Sequence, residues 1–123
     1  HTISHHQNDP RRLHQYELIN RWHIEQLAYF LGKLNSMPEG EGTMLDHAMV
    51  MFGSGLRDGH EHAEENLPIL LAGGGGGKIK GGQHIIFEEN TPLANLYLTM
   101  AQIMGADLDC FADATSILSE VYV

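Results

Sequence analysis

Apolar positions recur with a helical period over "NDPRRLHQYELINRWHIEQLAYFLGKLNSMPEG". Leu13, Tyr16, Ile19, Leu27, Phe30, Leu31 and Leu34 fall on one stripe, and Leu18, Trp22 and Tyr29 on a second. The spacing therefore predicts one long helix covered on two sides. Asp9 suits its N-cap, and Pro10 suits the first helical position, where a missing N–H costs nothing. Pro38 and Gly40 supply the stop. His23 lies inside the first stripe and is expected to be a hydrogen-bonded core histidine rather than a ligand.

Beyond Gly40 the apolar runs shorten to strand length. "MLDHAMVMFG" and "NLPILLAGG" both end in glycine and read as buried parallel strands, with "HIIFEE" a weaker third. "NTPLANLYLTMAQIMG" restarts a helix, with Thr91 as N-cap, Pro92 at the first position and Gly105 as the stop. The order helix, strand, strand, strand, helix predicts an α/β fold with a largely parallel sheet and flanking helices. No internal repeat or linker divides the 123 residues, so residues 1–123 are expected to form a single domain fragment.

Composition narrows the function classes. With 42% hydrophobic and 19% charged residues the chain is of globular type. Its formal net charge of −9 argues against nucleic acid as a partner, because that mode needs clustered Lys and Arg to neutralise phosphates. Arg11 with Arg12 and Lys78 with Lys80 are separate pairs, not a basic face. Cys110 stands alone, which excludes an internal disulfide and a cysteine metal framework. No apolar run reaches the roughly 20 residues of a membrane span, and the first residues do not have the pattern of a signal peptide.

Chemistry concentrates in the histidines. There are nine, and five of them lie in "HTISHH" and "GHEH". His1 and His5 are spaced to share one side of a helical turn, with His6 beside them; a tag remnant or a solvated terminus is the alternative. Ser54, Arg57, Asp58, His60 and His62 follow a strand and are expected in a loop at the carboxyl end of the sheet, where open α/β folds collect ligands. Asp58, His60 and His62 offer the oxygen and imidazole donors of a zinc-like site, against the alternative of a solvated polar loop.

Other motifs are weaker. "AGGGGGK" departs from a phosphate-binding loop at Ala72 and Ile79 and reads as a flexible turn, with an anion nest the minor alternative. Ser4, Ser54 and Cys110 are candidate nucleophiles, but none stands in a G-x-S-x-G elbow. Met44, Met49, Met51, Met100 and Met104 are expected in the core.

His1-Thr2-Ile3-Ser4-His5-His6 reproduces the HxxSHH motif of a bacterial family of unknown function, and "GHEHAEENLPILLAGGGGGKIKGG" and "TPLANLYLTM" resemble that family in the same order. That family in turn resembles the alkaline-phosphatase-like superfamily of phosphatases and sulfatases. Its long helix, turn with Asp46 and strand leading to a metal loop are matched by "YELINRWHIEQLAYFLGKLNSM" followed by "TMLDHAMVMFGSG". The histidine before its Leu-Pro strand is matched by His62, and "TPLANLYLTMAQIMGADLDCFADATSIL" is similar to its last helix and the loop after it. His1 and His5 resemble its Asp-x-x-x-His ligand pair, with His1 in place of the Asp.

The resemblance implies the C-terminal part of an alkaline-phosphatase-like domain, an exported parent protein, and a divalent ion, zinc first, held by His1, His5 and His62. His60, His6 and Asp58 become partners or substitutes of those ligands. Two departures bear on activity. Ser54-Gly55-Leu56 replaces the superfamily's Ser-Asp-His, so the ligand pair of a second metal is missing, and Arg57 is the nearby charge in its place. The superfamily's nucleophile and first Asp ligand belong to an N-terminal half not represented here.

Two main functions follow. One is a metal-dependent hydrolase-like domain acting on phosphate or sulfate esters. The other is an inactive binding or assembly subunit that keeps the fold and a structural metal. A third uses His1 as a mature terminus that chelates copper. In each, the remainder of a parent chain or a partner protein is expected to cover the two-sided helix.

Overall fold

The computed structural model describes residues 1–123. Helix α1 spans Pro10–Ser36, and Asp9 caps it by accepting the Arg11 and Arg12 N–H groups. Strands β1 (Pro38–Glu39) and β2 (Gly42–Thr43) form a short antiparallel hairpin that leads into the single-turn helix α2 (Met44–His47). Strand β3 (Val50–Gly53) pairs with β4 (Ile69–Ala72), and helix α3 (Leu93–Ile103) and a 3₁₀ turn (Ser119–Val121) complete the chain.

The sheet is antiparallel and two-stranded, with Val50 opposite Ala72 and Gly53 opposite Ile69. This overturns the expected largely parallel sheet with flanking helices, and with it the alkaline-phosphatase-like architecture. The cause lies in the connection. A parallel return needs a crossover, usually a helix; residues 54–68 form none and fold back on themselves, with Asp58 bridged to Ala63. "HIIFEE" pairs with nothing as a strand, and Ile86 is largely exposed.

The core lies between α3, the β3–β4 sheet and the C-terminal segment. Ile79, Leu96, Ile103, Leu118 and Val121 are buried together, with Met49, Met51, Ile69, Leu71 and Met100 packed around them. Two polar residues of α3 organise its far side. Thr99 is fully buried; its hydroxyl donates to the Asn95 carbonyl at 2.7 Å and accepts the Leu118 N–H at 2.8 Å. The Asn95 Oδ1 accepts the Thr115 N–H at 2.9 Å. A stretch without regular structure is thereby held where Leu118 and Val121 complete the core.

Helix α1 departs from expectation. None of its residues is buried; it packs on α2 and β2 and leaves Leu18, Trp22, Tyr29 and Phe30 about half exposed or more. His23 is likewise exposed, beside the Trp22 ring, and is not a core histidine. Thr91 precedes the cap of α3 by one residue, so its hydroxyl donates to the Glu88 carbonyl instead. Met104, at the end of α3, is exposed rather than packed.

The glycine run is a tight turn. Gly73, Gly75, Gly76 and Gly77 have positive φ, and a Cβ on Gly73 would lie 2.2 Å from the Ala48 carbonyl oxygen. The N–H groups of Gly74, Gly75 and Gly76 donate to the carbonyls of Leu45, Ala48 and Asp46. With its amides committed to these carbonyls, the turn lacks the free donors of an anion nest.

Replacing Thr99 with Val leaves the Leu118 N–H buried without an acceptor, and chemical denaturation is expected to read a loss of about 1–3 kcal/mol. A second prediction concerns α2. Its capping box joins the Thr43 hydroxyl to the Asp46 N–H and the Asp46 carboxylate to the Thr43 N–H, and the backbone donor holds the Asp46 carboxyl below its ordinary value of 3.8. A carboxyl depressed in the folded state stabilises above its unfolded pKa, and that contribution disappears as pH falls through the folded one. Wild type should therefore exceed Asp46→Asn in stability at neutral pH, and melting curves should converge as the pH drops below 3.8.

Candidate metal centre

The two histidine motifs meet in space. The N-terminal residues form a turn in which the His5 N–H donates to the His1 carbonyl at 3.0 Å and the Ser4 hydroxyl donates to the same oxygen at 2.8 Å. This four-residue closure is what the His1 to His5 spacing anticipates, and it brings the two ring centroids to 4.4 Å. Arg12 reaches back from α1 to donate to the His5 carbonyl.

The facing residues come from the loop between β3 and β4. The Arg57 N–H donates to the Ala63 carbonyl and the Ala63 N–H to the Asp58 carbonyl, closing a tight turn over residues 58–63. Inside it, Asp58 Oδ1 accepts the His60 N–H at 2.7 Å and the Glu61 N–H at 3.1 Å. These two donors hold the Asp58 carboxyl below its ordinary range. His62 has a φ of 54°, an uncommon conformation for a residue with a side chain. Its ring lies 4.9 Å from that of His5.

Contact between the two segments is close at Gly59, where an added Cβ would stand 3.1 Å from the Ser4 Cβ. His6 sits in the seam and is only 4% exposed. Its Nδ1 accepts the Asn8 N–H at 3.1 Å, which puts the proton of the neutral ring on Nε2, 3.8 Å from Asp58 Oδ1. His6 Nδ1 and Asp58 Oδ1 thus each brace the turn of their own segment, and the two side chains lie side by side across the seam.

The six residues expected at the site divide accordingly. His5 is central, flanked by His1 and His62, with the His60 ring at 6.2 Å; His6 is 5.4 Å from His60 and borders Asp58. No three His, Cys, Asp or Glu side chains already enclose a point suited to an ion; the rings of His1, His5 and His62 meet edge to face. Two features nevertheless suit a metal. The donors are imidazoles, which zinc and its neighbours accept, and His60 Nδ1 is the single buried side-chain nitrogen or oxygen with no partner.

Arg57 does not stand in for a second metal, because its guanidinium pairs with the Glu65 carboxylate. Ser54 accepts the Leu56 N–H and lines a cleft with Met51, Ile69, Leu93 and Tyr97, a group without a histidine. Cys110 is exposed, and Ser4 is occupied by the His1 carbonyl. Sequence reasoning missed the buried position of His6 and its link to Asp58, which no spacing rule encodes.

No protein-family profile, curated protein or solved structure matches the chain.

If His6 joins the two segments, His6→Ala should cost about 1–3 kcal/mol by denaturation, as expected for loss of a buried hydrogen-bonded group. Hydrogen exchange at the His60 and Glu61 amides should accelerate in the variant while exchange in α3 stays unchanged.

Proposed function

We propose that this chain is a divalent-metal-binding domain of hydrolase-like type, with His1, His5 and His62 as the ligands. The observation that carries the reading is the approach of three imidazoles from two distant segments, 4.4 and 4.9 Å apart around His5. The resemblance of residues 1–6 to the HxxSHH motif supports it from the sequence side. Ligation requires ring rotations that bring the imidazole nitrogens to the roughly 2.0–2.1 Å of a zinc–imidazole bond.

A bound divalent ion supplies Lewis acidity, polarising a phosphate or sulfate ester oxygen or lowering the pKa of a water. The chain's own part is positional. The turn at residues 1–5 presents His1 and His5 together, and the Asx turn at Asp58 fixes the loop that carries His62. The buried His6 packs in the seam between the two segments, beside Asp58.

A second reading is an assembly subunit with a structural metal. It draws on α1, whose exposed Leu18, Trp22, Tyr29 and Phe30 suit burial against another polypeptide. No helix is long and apolar enough to cross a membrane.

Elemental analysis of purified protein tests metal binding directly. About one zinc or similar ion per chain is expected, falling to background in His5→Ala/His62→Ala. Absence of stoichiometric metal in wild type would overturn the reading. Hydrolysis of a phosphate and sulfate ester panel, lost in the same variant, separates the enzyme from the assembly subunit.

A further inference from the structure

We propose that His60 is a fourth metal ligand, coordinating through Nδ1 rather than Nε2, so that the ion is held by four imidazoles. The inference rests on the metal-binding reading above and specifies the coordination.

The argument starts from what His60 lacks. Its Nδ1 is shielded from solvent and has no hydrogen-bond partner, alone among the side-chain nitrogens and oxygens of the chain. A buried polar atom left in that state costs about 1–3 kcal/mol, so such atoms are satisfied in native proteins or serve a purpose. No donor stands within hydrogen-bond distance of it, the Tyr16 hydroxyl approaching Gly59 but not the ring nitrogen. The His6 Nδ1 is itself an acceptor, taken by the Asn8 N–H, and the His6 Nε2 faces Asp58. The Asp58 carboxylate is an acceptor and holds the His60 backbone N–H, not its ring.

The position of the ring completes the case. His60 lies 6.2 Å from the His5 ring, at the centre of the proposed ligand set, and 5.4 Å from the His6 ring. Its Nε2 is on the other side, 3.9 Å from Glu61 Oε1, where the proton of the neutral ring has an acceptor within reach through water. With the proton on Nε2, the free lone pair is on the shielded Nδ1. A cation satisfies a lone pair in a place where no protein donor is within reach.

Four imidazoles change what the ion offers. Three protein ligands would leave a tetrahedral zinc one open position, whereas four would fill it, so that an ester or water oxygen could act only by adding as a fifth ligand. The position of His60 beside His62 on one tight turn also means that a single loop supplies half of the set.

The test uses the full chain labelled with nitrogen-15 in its histidines, titrated with zinc alone and followed by long-range proton–nitrogen correlation. The expected result is that one equivalent moves the rings of His1, His5, His62 and His60, with the His60 change at Nδ1 and its proton retained on Nε2. If zinc binds and moves the first three rings while His60 stays unchanged or binds through Nε2, the inference falls and the metal-binding reading stands. If no ring responds, both fall. As a second measurement, competition against a chelating dye should show His60→Gln weakening zinc binding by more than roughly 100-fold, beyond the loss expected for a residue that merely orients a ligand; a drop smaller than about 10-fold, with the fold retained by circular dichroism, would also overturn it.

Discussion

The buried Thr99 hydroxyl is the contact on which the rest of the core depends. A domain with eleven buried residues has little redundancy, and two of the five central side chains, Leu118 and Val121, lie in a segment that lacks helix or strand until its last turn. That segment is placed by hydrogen bonds from α3, through Thr99 to Leu118 and through Asn95 to Thr115. It then pairs with residues 78–80, where the Lys80 N–H donates to the Val121 carbonyl and the Val123 N–H to the Lys78 carbonyl. Burial of apolar area drives the collapse, but it is non-directional. Directional bonds from two polar residues decide which irregular segment closes the core.

The candidate metal centre follows a different plan. None of its residues belongs to that core, and its segments are a turn ahead of α1 and a loop between two short strands. Such elements have few apolar contacts to hold them, so their geometry comes from local hydrogen bonds: the His1–His5 closure, the Asx turn at Asp58, and His6 in the seam. On the metal-binding reading, a bound ion would add a constraint to these locally held segments. Binding free energy would then contribute to the folding free energy of the two segments, as in small metallodomains.

What the sequence disclosed depends on the range of the signal. The ends of α1 were legible because Asp9, Pro10 and Pro38 act on their immediate neighbours. The glycine turn was legible for the same reason. The apolar runs located β3 and β4, yet strand direction depends on the connection, and a run of apolar residues looks alike whichever way its neighbour travels. The second stripe of α1 was a true pattern, but a pattern of apolar residues names a face, not what covers it. For the site, the four-residue spacing of His1 and His5 was readable, whereas the partnership of His6 with Asp58 spans more than fifty residues and leaves no local trace. Asn95 and Thr99 did leave one: two polar residues four apart on the face of an otherwise apolar helix, which calls for buried partners.

Electrostatics set the terms on which the site meets ligands. The loop that carries His60 and His62 also carries Asp58, Glu61, Glu64 and Glu65, and its one cation, Arg57, is paired with Glu65. With a chain charge of −9 around it, this region attracts cations and repels anions. On the proposed reading, this field would favour a divalent ion at the histidines and disfavour a phosphate or sulfate ester until that ion was in place. Once bound, the ion would be the largest local charge and would reverse the field felt at close range. Metal and anionic ester would then bind in order, the first being a condition for the approach of the second. A neutral ester, which feels the surrounding carboxylates less, has no such requirement.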